Sequence, residues 1–169
     1  MNSLGKKIVI VGVSASGKST LARALSEKTG IPVTFMDSIM WKPGWVYVGD
    51  DETNKALEEI TSGDTWLLES YITKGSFANV FERVETIIYL DYPRYVAFLR
   101  YIKRWWQHRE NPREEIPGCP EKLNLEFAFR IWKKVEVSGL NEFLRDSSYE
   151  SKILRFQSVK ETKDFLKNL

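Results

Sequence analysis

The feature that most constrains this chain is a β-branched run that passes straight into a glycine-bracketed loop and then a helical stretch. Ile8, Val9, Ile10 and Val11 are unbroken apolar residues, the pattern of a strand covered on both faces of a parallel sheet. They lead into Gly12-Val13-Ser14-Ala15-Ser16-Gly17-Lys18-Ser19-Thr20. Leu21, Ala24, Leu25 and Lys28 then recur at helical spacing until Gly30-Ile31-Pro32 ends the run. Gly12, Gly17, Lys18 and Ser19 have the Gly-x-x-x-x-Gly-Lys-Ser spacing of a phosphate-binding loop, in the strand–loop–helix setting such a loop requires. Glycines let the backbone curl so that successive N–H groups converge on phosphate oxygens, and the helix adds its positive end. The expectation is that residues 12–20 hold the phosphates of ATP. Lys18 would span the β- and γ-phosphates, and the Ser19 hydroxyl would ligate Mg2+. Ala15 stands in the middle of the loop, where a third glycine is common; alanine, the smallest substitute, should keep the cradle with less backbone freedom.

The remainder of the chain repeats the alternation. Val33 to Met36, Trp66 to Leu68, Thr86 to Leu90 and Lys152 to Phe156 read as strands. Asp50 to Ile60, the stretch after Pro93 and Leu123 to Leu144 (broken near Gly139) read as helices. Ser158 and Glu161 form a capping box for a last helix, and Val96, Leu99, Ile102 and Trp106 supply the apolar face of the helix after Pro93. Five strands alternating with helices predict an α/β fold around a parallel sheet, in a single domain spanning 1–169. Hydrophobic residues make up 43% of the 169, enough for a true core. One cysteine, Cys119, and one histidine, His108, exclude a disulfide framework and a zinc site built mainly from those residues. A net charge of +2 carries no nucleic-acid or membrane signal, and no apolar run approaches the ~18 residues of a membrane span. Residues 1–16 loosely mimic a secretory signal, but the Ile8–Val11 apolar core is too short for one. A soluble, cytoplasmic domain is expected.

In such sheets the functional loops lie beyond the carboxyl ends of the strands. That edge gathers residues 12–19 with Asp37, Glu69, Asp91 and the segment after Phe156. Glu69 is placed as a second magnesium ligand through water, and Asp37 as a base that takes the proton of a hydroxyl acceptor. Asp91, just before Pro93, reads as a helix N-cap. Arg100, Arg104 and His108 fall four residues apart, with Arg109 and Arg113 following into the proline-bearing 111–120 loop. Residues 94–134 hold ten Lys/Arg against five Asp/Glu, a composition suited to a basic lid at about 104–128. Its Arg100 and Arg104 would neutralise charge on the transferring phosphoryl group.

Several of these segments together resemble the DNA topology modulation protein family, small P-loop proteins related to adenylate kinase. The resemblance runs through Gly12–Thr20, Met36-Asp37, Trp41-Lys42-Pro43-Gly44-Trp45, Leu90-Asp91-Tyr92-Pro93-Arg94, Arg100, Arg104 and Gly118-Cys119-Pro120-Glu121. It implies a nucleoside-kinase-like three-layer α/β/α core with strand order 2-3-1-4-5, an acceptor-binding insertion at about 38–65, and a lid. Where that family usually carries Ile-Asp-Gly-Asn-Tyr, this chain has Leu68-Glu69-Ser70-Tyr71.

The acceptor follows from charge. Ser38 to Thr65 contains no arginine, two lysines (Lys42 and Lys55) and six acids. A phosphate acceptor is held best by bidentate arginine and needs no base. The chain therefore reads as an ATP-dependent phosphotransferase acting on a neutral small molecule or nucleoside that lies against Trp41 or Trp45. Two alternatives stand beside it. One is a nucleoside monophosphate kinase using Arg83 or Lys74; the other is a regulatory ATP-binding protein that modulates DNA topology without turnover, the basic 94–134 segment permitting some DNA contact. Gln157 and Ser158 are placed near the adenine.

Overall fold

The computed structural model describes residues 4–70, 78–137, 140 and 147–169. Its centre is a five-stranded parallel sheet. The strands are β1 (Lys7–Gly12), β2 (Val33–Phe35), β5 (Trp66–Glu69), β6 (Thr86–Leu90) and β7 (Ile153–Phe156). The spatial order is β2-β5-β1-β6-β7, which is 2-3-1-4-5 when only the sheet's own strands are counted. The numbering gap comes from a separate antiparallel hairpin, β3 (Trp41–Lys42) with β4 (Val46–Tyr47).

The central strands are apolar on both faces because helices cover both. Val9, Val11, Leu68, Ile87 and Tyr89 face one layer with Phe81, Ala97 and Tyr101. Ile8, Ile10, Leu67, Ile88 and Leu90 face the other with Leu21 and Leu25. Ile8 to Val11 are all fully buried, each contributing roughly 1.5–3 kcal/mol of hydrophobic stabilisation. The register pairs Ile10 with both Glu69 and Ile88, and Gly12 with Leu90, so the carboxyl ends of β1, β5 and β6 share one edge.

The helices are α1 (Lys18–Thr29), α2 (Met36–Met40), α3 (Asp50–Thr61), α4 (Ala78–Arg83), α5 (Arg94–His108), α6 (Leu125–Trp132) and α7 (Val159–Lys167). α7 begins at the expected capping box. The Ser158 Oγ accepts from the Glu161 N–H at 3.2 Å, and the Glu161 carboxylate accepts from the Gln157 N–H at 2.8 Å.

Three expectations are corrected. β2 stops at Phe35 and Met36 opens α2, which puts Asp37 in the first turn of a helix rather than at a strand end. On α5 the core side carries Ala97 and Tyr101, with Phe98 and Ile102 packed beside them, while Leu99 and Trp106 are each 63% exposed. Counting large apolar residues misassigned that face, because small Ala97 is what lets the helix approach the sheet. α6 starts where Asn124 Oδ1 accepts from Phe127 N–H at 3.0 Å, and ends at Trp132. Lys134 then turns left-handed (φ 53°) and Val135–Val137 form a 3-10 turn. The break anticipated at Gly139 lies outside the described residues, as do Lys74 and Met1 to Ser3. Among the described residues no helix is long and apolar enough to cross a membrane.

Candidate active site

The loop between β1 and α1 has the curl that its glycines suggest. Gly12, Ala15 and Gly17 all have positive φ, at 155°, 61° and 102°. Ala15 therefore occupies a left-handed conformation that costs an L-residue roughly 1–2 kcal/mol. Gly17 has a φ of 102°, which L side chains rarely adopt, and a Cβ there would stand 2.8 Å from Arg100 Nη1 and displace that guanidinium. The first internal bond of α1 runs from Leu21 N–H to Gly17 O at 3.0 Å, which places Lys18, Ser19 and Thr20 in the first turn, where helical N–H groups have no intrahelical acceptor. Ser16 Oγ is buried and has no hydrogen-bond partner among the described residues. A curl with convergent N–H groups and a lysine and hydroxyl at its exit fits a nucleotide phosphate chain.

Lys18 is buried, and its Nζ donates to Val13 O at 3.1 Å and lies 3.4 Å from Glu69 Oε1. Burial pushes the Glu69 carboxyl above the usual carboxylate range; Lys18 pulls against that shift and the charge of Asp37 adds to it. Among the described residues no three His, Cys, Asp or Glu side chains cluster to hold a metal. Magnesium needs no such cage, since one or two protein oxygens suffice when phosphates and waters supply the rest. Ser19 and Glu69 both line the cleft above the loop and fit that limited role.

The cleft has a volume of ≈ 970 Å³ and joins two differently built halves. On one side lie residues 14–20, Tyr92, Arg100 and the α7 face of Val159, Thr162, Lys163 and Leu166. Gln157 and Ser158 themselves are engaged by Glu161, and their helical successors form the wall. Arg100 donates from Nη1 to Ser16 O, with its guanidinium 5.6 Å from the centre of the Tyr92 ring.

One turn further along α5, Arg104 serves the other half. Its Nε lies 3.0 Å from Glu121 Oε1, and Arg113 Nε reaches that same oxygen at 3.0 Å. Arg113 Nη2 also donates to Asp37 Oδ2 at 3.1 Å. All three atoms at the Glu121 contact are buried and none is aligned as a hydrogen bond, so the charges touch without directional bonding. Burial pulls Arg104 below its usual value, with the Glu121 carboxylate acting against it. Burial acts likewise on Arg113, but Asp37 and Glu121 outweigh it and hold that guanidinium above its usual value. Asp37 thus sits in the cleft as anticipated, and it is tied to an arginine that the sequence left among loop residues.

Trp41 and Trp45 are placed elsewhere. Their rings pack edge to face at 5.6 Å, Trp41 lies 5.5 Å from Tyr47, and neither is among the residues lining the cleft. Trp45 Nε1 donates to Pro120 O at 2.9 Å, Gly44 N–H to Gly118 O at 2.9 Å, and Cys119 Sγ to Lys42 O at 3.3 Å. The Trp-Lys-Pro-Gly-Trp hairpin and the Gly-Cys-Pro-Glu loop are therefore two sides of one joint. Glu115 in the same loop pairs with Arg23 of α1, whose guanidinium stacks on Phe35.

One group escaped the sequence reading, and one changes its role. Glu136, only 8% exposed, accepts from Ser14 N–H at 2.6 Å and from Ser14 Oγ at 3.0 Å, fastening the 3-10 turn to the phosphate loop. No motif marks it; the single clue is an acid between two valines. Asp91 is not a helix cap. α5 starts at Pro93 without a side-chain cap, and Asp91 accepts from Lys134 Nζ at 2.6 Å and pairs with Arg155. Burial alone would raise the Asp91 carboxyl, but these two cations outweigh it and hold it below the usual range.

The order of the sheet and the loop after β1 define a P-loop α/β fold. A solved structure of this kind is a gluconokinase from Sinorhizobium meliloti 1021, which the chain resembles with a TM-score of 0.58 at 16% identity, over 98% of this chain and 90% of that one. No family model and no curated protein matches the chain. At that identity the likeness establishes the fold.

Proposed function

We propose that this protein is a Mg-ATP-dependent phosphotransferase whose acceptor is a hydroxyl group on a small molecule. The observation that carries the reading is that Asp37 opens on the same cleft as Lys18 and Ser19 and is fixed there by Arg113 at 3.1 Å. The acceptor hydroxyl oxygen attacks the γ-phosphorus of ATP, the bond from that phosphorus to the β,γ-bridging oxygen breaks, ADP leaves, and the hydroxyl proton passes to Asp37. With nucleotide bound, Lys18 would exchange its Glu69 contact for phosphate oxygens, Ser19 and Glu69 would hold the cation, and Arg100, now on Ser16 O, stands beside the phosphate loop where charge would build. Magnesium, when bound, supplies Lewis-acid charge at the phosphoryl oxygens. The gluconokinase likeness supports this class, since that name denotes transfer to a hydroxyl compound. A cytoplasmic setting, where Mg-ATP is abundant, belongs to the proposal.

One observation favours the monophosphate-kinase alternative: α5 brings Arg104, and the loop after it Arg113, to an acceptor side that has no arginine of its own between residues 38 and 65. ADP release from Mg-ATP across nucleoside monophosphates, nucleosides, polyols and sugar acids tests both readings. Release that depends on a hydroxyl acceptor supports transfer to hydroxyl, and release with monophosphates alone replaces it. Silence with ATP bound would favour the regulatory reading, with DNA binding tested next by its salt dependence.

A further inference from the structure

We infer that this protein pairs with a second copy of itself through the outer face of α5 and α6. The two helices run antiparallel. The Trp132 ring lies 5.6 Å from that of Phe98 and beneath the Arg94 guanidinium, while Phe127 meets Tyr101 at 5.5 Å and the Tyr101 hydroxyl accepts from Asn124 N–H at 3.0 Å. Followed round each helix from these contacts, away from the sheet, the side chains that come next are Tyr95, Leu99 and Trp106 on α5 and Leu125, Phe129 and Trp132 on α6. Both stripes face outward on the same side, and none of the six residues lines the cleft. The inference therefore stands apart from the phosphotransferase reading.

Tyr95, Leu99 and Trp106 are 56%, 63% and 63% exposed, and Leu125, Phe129 and Trp132 are 78%, 59% and 38% exposed. Exposure on that scale amounts to roughly 800 Å², above the about 300–600 Å² of the largest apolar patch on a typical monomer. It equals the roughly 800 Å² that one partner gives to a standard-size interface. Four of the six are aromatic, the residue type enriched where protein interfaces are driest, and the cations stand at the margin. Arg109 lies over the Trp106 ring at 4.0 Å, Arg94 over Trp132 and Lys133 over Phe129. An antiparallel helix pair with one bare apolar face is half of a four-helix bundle. An identical pair across a two-fold axis supplies the other half with the same residues on both sides. Basic margins then face each other, so salt that screens them should tighten the pair, whereas docking on nucleic acid or anionic lipid weakens with salt.

The test is sedimentation equilibrium of the full chain up to about 100 μM, at about 0.1 and 0.5 M NaCl. The inference predicts a species of twice the chain mass, with a Kd below about 10 μM that falls further at the higher salt. Leu99→Glu and Leu125→Glu, both at exposed positions, should each weaken association at least about tenfold with the circular dichroism unchanged. Val46→Glu, at a position 56% exposed on the β3–β4 hairpin, should leave it as in wild type. A monomer throughout the range at both salts overturns the inference. So does a dimer that both glutamates leave intact, since it would use another surface. Association seen only with phosphatidylcholine–phosphatidylglycerol vesicles, and lost as salt rises, replaces the second copy with an anionic membrane.

Discussion

The two halves of the cleft are built in opposite ways. The phosphate cradle that defines one half is local: nine consecutive residues, 12–20, between one strand and one helix, with Lys18 reaching back five residues to Val13 O, and Arg100 and the α7 face only line it. The acceptor side is assembled from α2, α5 and the loop after it, with Asp37 and Arg113 separated by 76 positions in sequence. A local cradle depends on backbone conformation, so its requirements appear as residue types at fixed spacing. An assembled one depends on tertiary placement, which spacing does not reveal. The first half should therefore fail through single residues, and the second through the loss of pairings.

The largest effect expected is at the cradle. Lys18→Ala should reduce transfer by about 10³-fold, since it removes a charge aimed at the developing phosphoryl negative charge, with the circular dichroism unchanged. Near-normal turnover would show that Lys18 serves only the Glu69 pair. Asp37→Asn should lower kcat by about 10²-fold while leaving ATP affinity intact, measured by steady-state kinetics beside ATP titration. A change confined to ATP affinity would move Asp37 out of the acceptor half.

Glu136 tests whether the cradle is as local as its motif. Glu136→Ala strands the Ser14 N–H and hydroxyl and should cost about 2 kcal/mol by chemical denaturation, with about tenfold weaker ATP binding. Glu136→Gln, which keeps an acceptor for the N–H, should retain most of both. Equal loss in the two variants would mean that the negative charge matters more than the hydrogen bonds. The smallest effect concerns Ala15. Glycine there relieves the left-handed strain and gives back part of the gain through added chain freedom, for a net stabilisation of about 0.5–1 kcal/mol. The melting temperature should rise by about 1–4 °C, and a fall would show that the loop holds Ala15 without strain.

The sheet was legible because four buried apolar residues in a row admit few alternatives, and residues 8–11 announce both the strand and its two covered faces. The phosphate loop was legible for the same local reason. The apolar face of α5 was misread because Ala97 is small and the exposed Leu99 and Trp106 are large. Asp91 was misread as a cap because its partners, Lys134 and Arg155, lie 43 and 64 residues away. The absence of arginine between 38 and 65 was a correct count, but the fold brings Arg113 to Asp37 from outside that segment. Trp41 and Trp45, expected to lie against the acceptor, pack on each other and on Tyr47, with Trp45 bonded to the Pro120 carbonyl, contacts that span the chain and that spacing does not reveal.

The most direct test of the central claim, that the two halves form one centre for transfer to a hydroxyl, follows the γ-phosphoryl group itself. With γ-labelled ATP, magnesium and a panel of hydroxyl acceptors, polyols and nucleosides among them, the label should appear on an acceptor's oxygen in wild type. It should fall by about 10²-fold in Asp37→Asn and vanish in Lys18→Ala. Label recovered only as inorganic phosphate, equally in wild type and Asp37→Asn, would contradict the account and leave a nucleotide-binding cradle without an acceptor half.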